Sequence, residues 1–345
     1  MEYELPKRKN QRSRGEEMRL TVLMLIGIGL LFALSLFAQE VKQIPSVGSV
    51  PIIQPEKGYF VQEIRGGLYW VTDGLYNTIF LVSSVGVIAV DPLPNLGERY
   101  LKAIGEVTDK PVTHVVYSHE HTDHIGSAYL FPKGAVYIAQ KKTAEILARR
   151  RDPRRPAPTL TFDDAYTLTV GDQTLTLDYK GVNHEIGNIF IYAPKQKALM
   201  LVDVVYPGWM PYKNLGIAED VSGYIQAHHD ALRYDFDTFV GGHVDRLGNR
   251  ADVETSLEFV KDLKNTVVAE VAKLSFPTYL QRNSSPKHRW DRHNEYELEL
   301  VNTCYSQLFP RWKSRLRGAD TYLRDNCWEM LESLAVQFPG DIPSH

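Results

Sequence analysis

Cysteine is scarce in this chain: only Cys304 and Cys327 occur, both far from its densest group of histidines. A thiolate-held metal at those histidines is therefore excluded. Both cysteines fall in helical-looking stretches, where a free thiol packs as a small hydrophobe, whereas an oxidising compartment would pair them, so pairing stays open at this point. An excess of basic charge is missing too. The net charge is -3 and, apart from the basic leader and the Arg-rich stretch 149–158, Lys and Arg are dispersed, which argues against nucleic acid as the main partner because phosphate binding needs clustered cations. No short repeat runs through the chain. No His-Glu-x-x-His occurs either, since Asp123 stands where the second histidine of that zinc motif would fall.

What is present begins with an apolar run over residues 20–37, preceded by Lys7, Arg8, Lys9, Arg12, Arg14 and Arg19. This is the pattern of an export signal or a membrane anchor. The run is long for a signal core and just long enough to span a bilayer. A start at Met18 would give a compact signal peptide cleaved near Ala38 and Gln39, so a periplasmic or secreted protein is favoured, with a retained membrane anchor as the alternative. No cysteine follows the run, which sets aside an acylated lipoprotein. With 43% hydrophobic and 23% charged residues, the chain has the composition of a globular protein. Residues 1–38 are read as leader or anchor, 39–57 as linker, 58–250 as the main domain and 251–345 as a C-terminal helical extension.

Within 58–250, β-branched or aromatic runs at 59–65, 68–72, 78–83 and 85–90, separated by Gly and Ser, read as hairpin-connected strands. A helix is expected over 98–107, then a strand at 112–117, a short helix from 125, a strand at 135–139 and a helix around 143–150. The Arg- and Pro-rich stretch 149–158 reads as a solvated surface loop. Strands recur at 166–170, 174–179, 188–193, 198–202 and 236–240, with a helix around 221–232. Two blocks of strands, each completed by helices, predict an α/β fold (α+β in some schemes) in αβ/βα layers. Beyond residue 250, Leu257, Val260, Leu263, Val267, Val271 and Leu274 recur three or four apart and mark a long amphipathic helix with Asn249 as its cap. Two further helices are expected at 295–308 and 319–338, after a polar, broken stretch at 276–294.

His119-Glu120-His121-Thr122-Asp123-His124 places four candidate metal ligands in six residues directly after a strand. Packing does not explain so many imidazoles and carboxylates at one strand end. His184, Asp203 and His243 each follow a further strand, and strand ends converge on the sheet edge where open α/β folds bind ligands. His114, His228 and His229 are read as structural, and His288 and His293 as solvated. Tyr206, Trp209, Met210 and Tyr212, in a loop after Asp203, are read as an apolar wall for a substrate.

Through His119-x-His121-x-Asp123-His124, then His184, Asp203 and His243, with Asp91 ending an earlier strand, residues 58–250 resemble the metallo-β-lactamase superfamily. The resemblance implies a four-layer αβ/βα sandwich with its metal site at the sheet edges. It implies two divalent ions, zinc first and manganese or iron as alternatives: His119, His121 and His184 on one, Asp123, His124 and His243 on the other, and Asp203 bridging. Asp91 would fix the histidine loop by hydrogen bonds. The expected chemistry is attack by metal-bound hydroxide on an ester, lactone, thioester or lactam bond of a small molecule, with Asp123 orienting the hydroxide.

Departures rank the branches. Dedicated β-lactamases typically carry Cys or Ser where Asp203 stands, while lactonases and glyoxalase II-like thioesterases keep the aspartate and match better. A mono-iron persulfide dioxygenase and a non-catalytic binding module are the readings from other classes, separated from hydrolysis by metal identity and by activity.

Overall fold

The computed structural model describes Met1 and residues 49–338; the leader expected at 1–38 otherwise lies outside the described residues. Of the two compact units into which the chain divides, the second, starting at Ile44, carries the fold. Among the described residues, no helix is long and apolar enough to cross a membrane.

Period-two alternation in the strand runs produces two sheets with apolar residues on both faces. Among the described residues, the first sheet has seven strands in chain order: β1 (Phe60–Arg65), β2 (Leu68–Thr72), β3 (Asn77–Val82), β4 (Val87–Val90), β5 (Val112–Val116), β6 (Val136–Gln140) and β7 (Leu160–Phe162). Pairing is antiparallel from β1 to β4 and parallel from β4 to β7. The second sheet runs β12-β11-β10-β9-β8, from β8 (Ala165–Val170), β9 (Gln173–Asp178), β10 (Phe190–Ala193), β11 (Ala198–Leu201) and β12 (Thr238–Val240). Between the sheets, Trp70, Ile79, Leu81 and Ile88 pack with Leu175, Leu177, Ile191 and Met200. Residues one position out of phase, Val71, Phe80 and Ala89, face the other way, toward α1 (Glu98–Gly105) and Leu147 of α3 (Lys141–Arg150). The layers are those of the αβ/βα sandwich.

The expected start of the short helix at 125 moves. The short helix α2 starts at Thr122 and ends at Ile125, so the turn that follows β5 becomes helical inside the histidine cluster rather than after it. β7 has no counterpart among the expected strands, being only three residues long. The stretch read as a solvated loop also turns inward at Arg155, whose side chain is 4% exposed and whose Nη1 lies 2.9 Å from Oε2 of the buried Glu120.

The outer face of the second sheet is covered by α4 (Val221–Ala231), α5 (Arg250–Lys273), α6 (Phe276–Arg282), α7 (Arg289–Trp312) and α8 (Ala319–Gln337). Asn249 caps α5 as expected, in a capping box with Asp252. The stretch read as broken contains α6, because Ser275 caps it and Pro277 occupies its first turn, where a missing N–H costs nothing. Of the two histidines read as solvated there, His288 caps α7, while His293 packs its ring 4.9 Å from that of Phe276 and pairs with Glu297. Phe190, Leu199, Leu201 and Phe239 of the second sheet share one core with Phe259, Val260, Leu263, Leu308, Leu323 and Leu334.

Cys304 and Cys327 form a disulfide between α7 and α8. As they lie 23 positions apart in sequence, replacing both by alanine should cost about 3 kcal/mol, mainly through the entropy returned to the unfolded chain. Denaturant unfolding of the oxidised protein beside the double variant measures this. Coincident midpoints would show that the bond contributes nothing.

Candidate metal centre

The candidate ligands follow four strands, β5, β9, β11 and β12, and buried hydrogen-bonding neighbours hold several of them. Asp91 follows β4, and its Oδ1 accepts from the Ser118 amide at 2.7 Å, while the Ser118 hydroxyl lies 2.9 Å from His119 Nδ1. That contact directs His119 Nε2 into the site. His121 is the N-cap of α2, and Asp123 and His124 lie in its single turn. Asn183 Oδ1 accepts from the His184 amide at 2.7 Å and from Asn188 Nδ2 at 2.9 Å, and the same Nδ2 donates to Val202 O. Asp203, two residues past β11, has φ 61°, a left-handed conformation that non-glycine residues seldom adopt and that concentrates at functional sites.

The His243 loop is stitched across to the first sheet by Asn77. Its Nδ2 donates to His243 O at 2.8 Å and Val244 O at 2.9 Å, its Oδ1 accepts from Trp70 Nε1, and its backbone N–H reaches Gly242 O. Gly242 has no room for a side chain: a Cβ there would stand 2.7 Å from Asp203 Oδ1 and 2.9 Å from His124 Cε1.

These elements bring together all seven residues of the expected set. His119, His121, His184 and Asp203 form one compact group, and Asp123, His124, Asp203 and His243 a second. Asp203 belongs to both. Its Oδ2 lies 3.0 Å from His124 Nε2, 3.3 Å from His184 Nε2 and 3.9 Å from His119 Nε2, and its Oδ1 lies 3.0 Å from His243 Nε2. Asp123 Oδ2 is 3.6 Å from His124 Nε2 and 3.9 Å from His243 Nε2.

The donor set fits divalent cations. His119 Nε2 is buried without a hydrogen-bond partner, a cost that coordination would remove. His184 Nε2 and His121 Nδ1 face each other at 3.1 Å, an arrangement two lone pairs tolerate with a cation between them. Burial, reinforced by His121, His124 and His184, holds the His119 pKa well below the usual imidazole value; burial likewise brings His184 down to about 4. Neutral imidazoles are the ligand form. Burial also opposes charge on His124, but Asp203, Asp123 and Asp91 outweigh it and raise the pKa to about 9, a pull on positive charge that a divalent ion would answer. Asp203 is burdened by burial, yet His124, His243 and His184 keep its carboxyl well below the ordinary range. Burial lifts Asp91 to about 6 against the opposing pull of His124 and Ser118.

Beside the two groups opens a cavity of about 460 Å³. Tyr206, Trp209, Met210 and Tyr212 all line it. So do Leu75 and Tyr76 from the β2–β3 turn, Val244 and Asp245 from the His243 loop, Ile217, and Tyr322 from α8. Those six are not marked by the sequence: nothing local distinguishes Tyr322 from other helix tyrosines until α8 is placed. Burial pushes the Tyr76 phenol up to about 12, with Asp123 and Asp203 adding to the effect, so it keeps its proton.

Residues 214–217 form a left-handed turn, with φ of 55° at Asn214, 53° at Leu215, 71° at Gly216 and 60° at Ile217. Buried Asn326 of α8 holds its N-terminal side, its Oδ1 accepting from the Leu215 amide at 2.8 Å and its Nδ2 donating to Pro211 O at 3.1 Å.

The other histidines stand apart from this centre. His228 is buried, with Nδ1 2.8 Å from Tyr224 O and Nε2 2.9 Å from Ser256 Oγ, and ties α4 to α5. His114 lies beside Thr113 Oγ1 on β5.

Residues 71–269 match the model of the metallo-beta-lactamase superfamily. The chain belongs to that superfamily. It is 31% identical over 208 residues to the 2,4-dinitroanisole O-demethylase subunit alpha of Nocardioides sp. (strain JS1661), a match covering 59% of this chain and 63% of that one, so the chain spans less than two thirds of that relative. It is 26% identical over 194 residues to the metallo-beta-lactamase type 2 of Elizabethkingia meningoseptica, covering 54% and 75%. An acyl-coenzyme A thioesterase of Homo sapiens is 27% identical over 205 residues, covering 46% and 71%. Among solved structures, the sec-alkylsulfatase Pisa1 from Pseudomonas sp. shares the fold with TM-score 0.57 at 18% identity, over 84% of this chain and 52% of that one. The metallo-beta-lactamase from Pontibacter korlensis shares it with TM-score 0.52 at 22% identity, over 59% and 99%. These relatives are enzymes, hydrolases and a demethylase among them, and this chain has the superfamily's clusters of His and Asp suited to divalent metals.

Proposed function

We propose that the protein is an exported hydrolase that uses two divalent ions, zinc first, to cleave an ester, lactone, thioester or lactam bond of a small molecule. The observation that carries this reading is Asp203, one buried carboxylate facing the imidazoles of both groups. His119, His121 and His184 would hold one ion, Asp123, His124 and His243 the other, and Asp203 both. Bound there, the ions supply a hydroxide nucleophile at neutral pH and an electrophile for the bond attacked.

The chain's own groups do the rest. Asp123, with its side chain 45% exposed toward the cavity, accepts a hydrogen bond from the attacking water and orients it. Tyr76, protonated, offers a donor on the cavity wall. Asp91 and Asn77 keep the ligand loops in register. Export is supported by the basic, then apolar leader and by the disulfide, which persists outside reducing compartments.

A second reading is O-demethylation of an aryl methyl ether, favoured by the 31% identical demethylase subunit. Metal analysis followed by assay on ester, lactone, thioester and lactam panels, with 2,4-dinitroanisole included, tests both. We expect about two zinc ions per chain and hydrolysis that falls at least about tenfold on chelation and returns with zinc or manganese. Release of methanol with no ester or lactone turnover would replace the first reading by the second, and activity indifferent to chelation would sink both.

A further inference from the structure

The geometry points to a substrate class: an uncharged molecule carrying an aromatic ring, seated against a wall completed by α8. This inference rests on the hydrolytic reading for the bond broken, but its selectivity comes from the opposite side of the cavity. Among the described lining residues there is no Lys or Arg, and the acidic residue outside the metal groups is Asp245. Arg317 borders this wall, its side chain 66% exposed, with Nη1 3.9 Å from Asp245 Oδ2 and the guanidinium 5.9 Å from the Trp209 ring centre, so its charge is already drawn to the wall's own carboxylate. Arg246 is held by both carboxylate oxygens of Asp252. An anionic group pointing away from the metal side would lose its water among tyrosine rings and a carboxylate that already competes for the neighbouring cation, Arg317. Carboxylated or phosphate-bearing chains, those of coenzyme A thioesters included, fit such a wall badly.

What the wall does offer is ring surface. Trp209, Tyr212 and Tyr322 line one side, with the Tyr212 and Tyr322 centroids 5.5 Å apart and their planes at 54°. Leu75 and Ile217 extend the apolar surface. The loop that carries Trp209 is tied to the C-terminal layer before any ligand arrives. Met210 N–H donates to Arg317 O and Arg317 N–H to Gly208 O, both at 2.9 Å, so the aromatic loop is bonded to the segment leading into α8. At Gly318, a Cβ would come 3.2 Å from Trp209 Cε3, so even a methyl group there would press on the indole. A preformed wall avoids the entropy of ordering side chains on binding, and offset or edge-on ring contacts add to the area buried. The volume suits a molecule of one or two rings.

The test uses the zinc-loaded full chain and three methyl esters: phenylacetate, acetate, and phenylacetate with a carboxylate at ring position 4. In each, water adds its oxygen to the acyl carbon, the acyl–oxygen bond breaks, and methanol leaves with the acid. We expect kcat/KM for the phenylacetate at least tenfold above both others. Tyr322→Ala should cut that preference over acetate about tenfold, chiefly through KM, and Tyr322→Phe should retain it. A carboxylated ester turned over as well as the neutral one, or a Tyr322→Ala variant that slows both neutral esters equally, overturns the proposal while leaving hydrolysis intact. If none of the esters is hydrolysed, the hydrolytic reading fails separately, and calorimetry with phenylacetamide and its 4-carboxy analogue decides the class. Tenfold tighter binding of the neutral amide upholds it; equal binding, or none, overturns it.

Discussion

Asp203→Asn should leave a folded protein that has lost at least about 10³-fold in kcat/KM, equivalent to roughly 4 kcal/mol of transition-state stabilisation. The substitution keeps the volume of the side chain but replaces an anion that faces His124, His184 and His243 within 3.3 Å with an amide whose NH2 must confront an imidazole. On the proposed two-ion reading, metal content should fall to one ion or none, because the carboxylate that would partly neutralise both cations is gone. Metal analysis, kcat/KM and a melting curve on the same sample give the readout. Full activity with both ions present would remove Asp203 from the centre of the mechanism.

Arg155→Met should cost about 3 kcal/mol or more of folding stability, the penalty for leaving a buried charge without its partner. The charge left behind is Glu120, 1% exposed, and Arg150 at 2.9 Å compensates only in part because its own side chain is 53% exposed. The effect should reach the metal site, since Arg155 Nη1 also binds the backbone carbonyl of Glu120, between His119 and His121. Metal affinity is expected to fall about 10- to 100-fold, as for other residues that orient ligands. Adding Glu120→Gln should restore much of the stability by removing the stranded charge. A single variant that melts with the wild type would show that Arg150 suffices.

Those two residues also mark where the sequence could and could not be read. Asp203 was legible because ligand chemistry is concentrated in a few residue types and those residues sit at strand ends, which period-two alternation locates. The layers were legible for the same reason: Trp70, Ile79 and Leu81 alternate with Val71 and Phe80 whatever the topology. Arg155 was not legible. In sequence it is one arginine of a basic, proline-rich loop, and only the burial of Glu120, 35 residues away, turns it inward. Asn77 likewise gives no local sign that it will bridge to the His243 loop. Tyr322 and Asn326 act on the cavity through a helix whose placement depends on the packing of the entire C-terminal layer, and no short window of sequence contains that information.

The left-handed turn at 214–217 gives that layer a further meaning. A left-handed conformation costs roughly 1–2 kcal/mol for each residue other than glycine, so the turn persists because Asn326, adjacent to the crosslinked Cys327, holds it. The stretch that matches the superfamily ends at residue 269, before the helix carrying Asn326 and Tyr322. Kinship therefore speaks to the ligand shell and most of the cavity lining, and is silent about the part of the wall that Tyr322 supplies. Trimmed to its minimal sandwich, the protein would keep every candidate ligand yet open onto a different chamber, and substrates inferred from shorter relatives would describe that truncated molecule rather than this one.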